Sequence, residues 1–316
     1  MHTEAAHQQV IDWYSEHARD LPWRRTDCSA WGVLVSEVML QQTPVARVLP
    51  RWREWMQRWP TPEAAAQAPA AEILTVWDRL GYPRRALRLQ AAAAAIVETH
   101  RGEVPSTAEE LRALPGVGEY TAAAVACFAF EQPEVVVDTN IRRVHARLFS
   151  GHALPGPTYT AAQRKLAHQV FPHPELAPQA EHNTKAEHDV GQFACTWNIA
   201  TMELGALICT ARSPGCPQCP VAEICAWRQA GSPPPNEHQR TRGQAWAGTD
   251  RQVRGAIMAA LRTAGEQPAD ELLDSLPLPT SDLDQRRRCL DSLLADGLAE
   301  RDEDRVGLPG LLQSRA

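Results

Sequence analysis

The sequence predicts an all-α protein with a small winged-helix-like module at its C-terminus. Three observations lead there. Apolar residues recur at helical spacing from an opening helix at 4–18 to a last helix at 282–295, with proline and glycine between segments. The one strand-like pattern is a polar-tipped hairpin, L-A-E-R-D-E-D-R-V-G-L, from Leu298 to Leu308. Four cysteines, Cys209, Cys216, Cys219 and Cys225, are spaced C-x6-C-x2-C-x5-C in a loop that Pro214, Pro217 and Pro220 keep out of a helix.

In chain order, Val10, Ile11, Trp13 and Tyr14 give the first helix its apolar face. The turn R-D-L-P-W-R-R follows. Residues 31–41 form a strongly apolar helix that carries a single carboxylate, Glu37. Buried and ionised, that group is costly. It therefore faces a cavity, has its pKa raised by desolvation, or lies at a solvent edge. Pro44 opens an amphipathic helix over 45–59 with three tryptophans and four arginines. Residues 61–100 read as three short helices punctuated by Pro62, Pro69 and Pro83, with L-G-Y-P at 80–83 as a loop.

In L-R-A-L-P-G-V-G-E-Y-T, from Leu111 to Thr121, a short helix ends and another starts at Tyr120 or Thr121. Gly116 and Gly118 lack side chains, so backbone N–H groups at that helix start can approach a phosphate. The segment is either an ordinary tight helix connection or the helix–hairpin–helix mode of holding a DNA backbone without reading sequence. Asp138 follows an apolar run and precedes I-R-R-V-H-A-R-L, so it sits at an N-cap. It is either a plain cap or a carboxylate held ionised at a helix start, facing a cleft. A helix over 161–170 and surface histidines (His173, His182, His188) lie between there and W-N-I-A-T-M-E-L-G-A-L, a helix that feeds the cysteine loop. After a linker at 230–248 come helices near 250–263, 269–275 and 282–295, the last with an Arg286–Arg287–Arg288 run.

The 316 residues allow two domains and a small third. The start of the chain does not read as a signal peptide, and no apolar run is of membrane-spanning length. The cysteines suggest a reducing cytoplasm rather than a disulfide framework. A net charge of −6 argues weakly against nucleic acid, though a local basic face can hide in a total. Four thiolates suit zinc or an iron–sulfur cluster, and a single C-x2-C pair with longer arms favours [4Fe–4S].

Together these motifs resemble the endonuclease III superfamily of DNA glycosylases over residues 8–228. S-E-V-M-L-Q-Q-T at 36–43 is similar to the A/G-specific adenine DNA glycosylase (MutY) branch, and W-D-R-L-G-Y, L-P-G-V-G, D-x-N and M-E-L-G-A-x-x-C-T are matched too. The resemblance implies a two-lobed fold: a helix–hairpin–helix domain at 22–135 and a [4Fe–4S] domain from 1–21 plus 136–229. Then follow the linker at 230–248 and the terminal module at 249–316. It implies a monomeric base-excision-repair enzyme of the bacterial cytoplasm. The substrate would be duplex DNA holding adenine opposite 8-oxoguanine or guanine.

By the same resemblance Glu37 protonates the base and Asp138 stabilises the sugar cation, with Tyr120 and Asn140 in support. Gln42 and Tyr82 enter the stack near the opposing guanine. Arg19, Leu21, Trp23, Thr43 and Val45, with Gly116 and Gly118, complete the base pocket and DNA contacts. The cluster is structural, with Arg212 and Arg228 beside it for phosphate. Tyr120 stands where the lyase branch has lysine, which implies a monofunctional glycosylase. Ile199 stands where the family often has Glu or Gln, and the chain after the linker is too short for the Nudix-like domain many members carry. Shortened C-termini of this kind are similar to those of some actinobacterial relatives. The rival readings are a T·G mismatch glycosylase of the same superfamily and a non-enzymatic iron–sulfur DNA-binding regulator.

Overall fold

A computed structural model describes residues 3–172, 184–239, 246–278 and 281–312, with backbone alone for 184–190. His173 and His182, and the side chain of His188, lie outside the described residues.

The chain opens with α1 (Thr3–His17), and a single 3-10 turn at Pro22–Arg24 leads to α2 (Ala30–Leu40). Pro44 is the N-cap of α3 (Val45–Arg58), where a residue needs no intrahelical N–H. Thr61 caps α4 (Pro62–Gln67) through its side chain, and α5 (Ala70–Trp77) follows Pro69. The third segment of this stretch is not short: α6 (Arg84–His100) has 17 residues, because its alanine run carries no breaker until left-handed Arg101. After α7 (Ala108–Ala113), α8 (Glu119–Phe130) begins one residue earlier than the sequence suggests, with Gly118 as its N-cap.

Asp138 caps α9 (Thr139–Leu148) and Thr160 caps α10 (Ala161–Val170). The long α11 (Thr184–Leu207) delivers the chain to the cysteine loop, which α12 (Ala226–Gln229) closes. The C-terminal stretch holds α13 (Asp250–Ala264), β1 (Gln267–Pro268), α14 (Ala269–Ser275), α15 (Leu283–Ala295), β2 (Glu300–Asp302) and β3 (Arg305–Gly307). Its antiparallel sheet has the order β1-β3-β2. Three helices with this hairpin make the expected winged-helix arrangement. β1, only two residues long, carries no alternation for a sequence reading to catch.

The chain forms two compact units. The first comprises 1–33, 106–112 and 118–242. Its main core joins Val10 and Trp13 of α1, Val144 and Leu148 of α9, and Trp197 and Leu204 of α11. Val221 and Cys225 of the cysteine loop belong to the same core. The second unit comprises 34–105, 113–117 and 243–316, so it includes the winged-helix module. Trp55 and Trp77 of α3 and α5 are fully buried and meet edge to face, each worth about 2–3 kcal/mol in burial. Arg262 of α13 donates to the Leu74 carbonyl at 3.0 Å, and Asp296 accepts from Arg254 at 2.5 Å while pairing with Arg84 at the start of α6. The Arg286–Arg288 run is partly engaged within the module: Arg286 donates to the carbonyls of Leu273 and Leu278, and Arg288 pairs with Asp250.

Candidate active site

Glu37 lies mid-way along α2 and is only 5% exposed. Val33, Leu34, Val35, Val38 and Met39 around it are buried as well. The solvent-edge reading is thereby removed. Just beyond it, α2 stops at a turn that exposes Gln42 in a left-handed conformation, φ +56°. Thr43 is buried and its hydroxyl donates to the Leu80 carbonyl at 2.9 Å. That bond joins the turn to the loop bearing Tyr82, which is also left-handed (φ +47°) and 47% exposed. Val45, at the start of α3, is half-buried.

The residue that assembles this corner escaped the sequence reading. Arg85, in the first turn of α6, donates from one terminal nitrogen to the carbonyls of Val38 (2.7 Å) and Gln41 (2.7 Å). From the other it donates to Leu80 (3.1 Å), Gly81 (3.0 Å) and the Thr43 hydroxyl (3.2 Å). Its guanidinium also lies against the rings of Trp77 and Tyr82, at 5.1 and 5.7 Å. Burial lowers its pKa to about 10, so it stays charged at neutral pH. One cation thus fastens the end of the Glu37 helix to both the Gln42 and the Tyr82 turns. Gly116 faces the same corner: with φ +77°, it passes so close to Arg88 that an added Cβ would lie 2.8 Å from that side chain.

In the first unit, Asp138 accepts from the Ile141 N–H at 2.6 Å and from the Asn140 side-chain amide at 2.8 Å. Burial nevertheless pushes its pKa up, against those hydrogen bonds and the nearby Arg143. The helix start alone therefore does not hold this carboxylate at its ordinary value, as the sequence suggested. Asn140 accepts in turn from Arg143 (2.8 Å), which reaches the carbonyls of Cys209 (2.7 Å) and Gly205 (2.6 Å). Gly205 is required there, because an added Cβ would meet the Asn140 Cβ at 2.7 Å. Tyr120 packs against a cluster of Ile141, Val136, Cys127 and Cys195. Ile199 is half-buried on α11.

Arg19 is not a free cation. Its guanidinium makes two hydrogen bonds of 2.7 Å to Glu203, and Arg24 adds a third at 2.9 Å. Glu203 is fully buried; burial opposes its charge, but the two arginines more than offset this and lower its pKa to about 2. The clamp ties the turn that carries Leu21 and Trp23, both buried, to Glu203 of α11. Arg19 and Glu203 therefore brace the segment that the sequence placed at the base pocket.

Among the described residues, no three His, Cys, Asp or Glu side chains converge on a site for one metal ion. The loop cysteines nonetheless lie within electrostatic reach of one another: burial pushes Cys219 up to about 12, with Cys209, Cys225 and Cys216 adding to it, and pushes Cys225 upward, with Cys209 and Cys216 adding. Arg147 donates to the Cys209 sulfur (3.2 Å) and the Thr210 carbonyl (2.8 Å), and its guanidinium lies 4.8 Å from the Trp227 ring. Four cysteines on one proline-rich loop, with the Arg147 cation beside Cys209 to offset thiolate charge, are a donor set that suits an iron–sulfur cluster. Of the basic residues proposed beside it, Arg212 is exposed and Arg228 reaches the Cys216 carbonyl at 3.5 Å.

Residues 35–169 match the model for the HhH-GPD superfamily base excision DNA repair proteins. The chain is 48% identical over 302 residues to an adenine DNA glycosylase of Mycobacterium tuberculosis, covering 95% of this chain and 92% of the relative. The chain belongs to the adenine DNA glycosylase family. It is 46% identical to the Mycolicibacterium smegmatis member, covering 96% and 95%. A solved thermostable thymine-DNA glycosylase shares the fold with a TM-score of 0.59 and 26% identity, covering 72% of this chain and 97% of that one. Both alignments cover nearly the whole chain and so take in most of the stretch that follows the linker.

Proposed function

We propose that this chain excises adenine mispaired with 8-oxoguanine or guanine and leaves an intact abasic strand. As a family member it is a base-excision-repair glycosylase that acts on the N-glycosyl bond of adenine and binds DNA. The observation that carries the mechanism is Glu37, a carboxyl buried in an apolar helix whose end is tied to the Gln42 and Tyr82 turns.

The base must leave the stack before its bond can be reached. Glu37, in its proton-bearing form, gives a proton to adenine N7. The C1′–N9 bond then breaks, its electron pair leaves with adenine, and an oxocarbenium ion develops at C1′. The Asp138 carboxylate stabilises that cation, while Glu37, now ionised, takes a proton from the water that adds to C1′. Gln42 and Tyr82 fill the stack on the opposing side. Leu21, Trp23 and Val45 wall the base. Tyr120 and Asn140 support the two carboxyls, Thr43 ties the wedge turns, and Gly116 and Gly118 hold the phosphate backbone. With Tyr120 in the lysine position there is no amine there to form a Schiff base, so strand cleavage is not expected. We assign the four loop cysteines to a [4Fe–4S] cluster, which when bound ties the loop into one rigid phosphate-facing brace.

Duplexes containing A·8-oxoG, A·G and T·G, each followed by alkali, test this reading. Breaks are expected in the adenine strand only, and only after alkali. Breaks without alkali overturn the monofunctional assignment, and release of thymine without adenine moves the chain to the mismatch branch. Glu37→Gln should lower turnover by about 10²- to 10⁴-fold with DNA binding kept. Absorbance near ~400 nm supports the cluster, and stoichiometric zinc refutes it.

A further inference from the structure

Trp246 is the most exposed large hydrophobic side chain among the described residues, at 52%, and Tyr82 follows at 47%. They are joined. The Arg251 guanidinium lies 5.0 Å from the Trp246 ring and donates to the Tyr82 hydroxyl at 3.4 Å. Arg85 covers the same Tyr82 ring and the buried Trp77 ring behind it. Aromatic rings and guanidinium groups therefore alternate: Trp246, Arg251, Tyr82, Arg85, Trp77.

Trp246 is also held in place. The Thr249 hydroxyl donates to its carbonyl at 2.8 Å while that threonine caps α13. Gln252 accepts from the Gly248 N–H at 2.8 Å, and Gln285 of α15 donates to the Gly248 carbonyl at 3.1 Å. The rest of the module does not suit a polyanion. Residues 250–312 hold thirteen acidic side chains against eight arginines. Arg254, Arg262, Arg286 and Arg305 are bonded within the unit. At this edge positive charge lies beside exposed aromatic surface, and that pairing is the chemistry of base stacking with phosphate attraction.

We infer that Trp246 and Arg251 extend the Tyr82 wedge into a continuous edge that contacts the duplex flanking the mispair, so the winged-helix module is a DNA-binding element. The inference rests on Tyr82 meeting DNA. Anisotropy of the full chain on a duplex with 2′-fluoro-deoxyadenosine opposite 8-oxoguanine tests it, since the fluorine slows glycosidic cleavage. Trp246→Ala and Arg251→Ala should each weaken binding about tenfold. Arg301→Ala, on the hairpin, should leave it unchanged. Tyr82→Phe removes only the hydroxyl, and in that background Arg251→Ala should cost less than in the unaltered chain. Unchanged affinity in both edge variants, or an equal loss in Arg301→Ala, overturns the inference. Should either variant melt early, Trp246→Leu and Arg251→Gln replace them with the same expectations. Wild-type release of thymine instead of adenine would sink the excision reading while leaving the affinity comparison intact.

Discussion

The Asp138 region and the Tyr82 region are both organised by arginines, but the arginines work differently. Around Asp138 the hydrogen bonds reach the functional group itself: Ile141 and Asn140 donate to the carboxylate, and Arg143 stands behind Asn140. Around Tyr82, Arg85 makes its hydrogen bonds to backbone carbonyls and the Thr43 hydroxyl and leaves the Gln42 side chain exposed. The first region sets the charge state of a group that must not move. The second sets the backbone of groups that must project.

That contrast can be broken from either side. Asp138→Asn keeps the cap acceptor and removes the charge, so excision should fall roughly a hundredfold to a thousandfold in single-turnover assays while the fold melts normally. Glu203→Gln attacks a group that serves neither carboxyl directly. Its pKa falls from 4.5 to about 2, a difference worth roughly 3 kcal/mol of stability. Because the folded value is the depressed one, that stability is present above pH 4.5 and is lost as pH falls toward about 2. Chemical denaturation at pH 7 should show the loss in the variant, and its acid unfolding should be flatter across that window.

Arg85→Lys keeps a charge but not the two-pronged reach, so kcat/KM should fall between about tenfold and a hundredfold. The loss should appear as reduced distortion of the stack, read by 2-aminopurine fluorescence beside the mispair, and Arg85→Ala should be no better. The smallest effect is expected from Asn140→Ala. The ionised form of Asp138 is the useful one, and burial already raises its pKa. Excision should therefore fall as pH drops through that raised value. Removing a hydrogen bond that favours the anion should move this acid limb upward in the single-turnover pH profile, with little change on the alkaline side.

Helical periodicity and proline punctuation made most elements legible, down to the 161–170 helix and the hairpin. Chemistry-bearing residues in unusual company were legible too: one carboxylate in an apolar helix, one aspartate at a helix start, four cysteines in a proline-rich loop. The bracing was not. Arg85 looks like any other arginine in P-R-R-A-L-R, because its partners are carbonyls 4 to 47 residues away and carbonyls leave no mark in a sequence. Arg19 was read as a DNA contact because nothing local reveals Glu203, 184 positions distant. The upward pressure on the Asp138 pKa depends on burial that only the packed α9 and α11 create.

The two left-handed residues have a thermodynamic meaning beyond geometry. Side chains other than glycine resist that region, at a cost of order 1 kcal/mol or more each, and here Gln42 and Tyr82 both adopt it at the tips of turns held by one cation. The backbone of the proposed wedge is therefore set in the fold itself. Association should then carry a smaller entropy penalty and a weaker dependence on loop ordering than a flexible probe would show, which suits an enzyme that must test a great many undamaged pairs briefly.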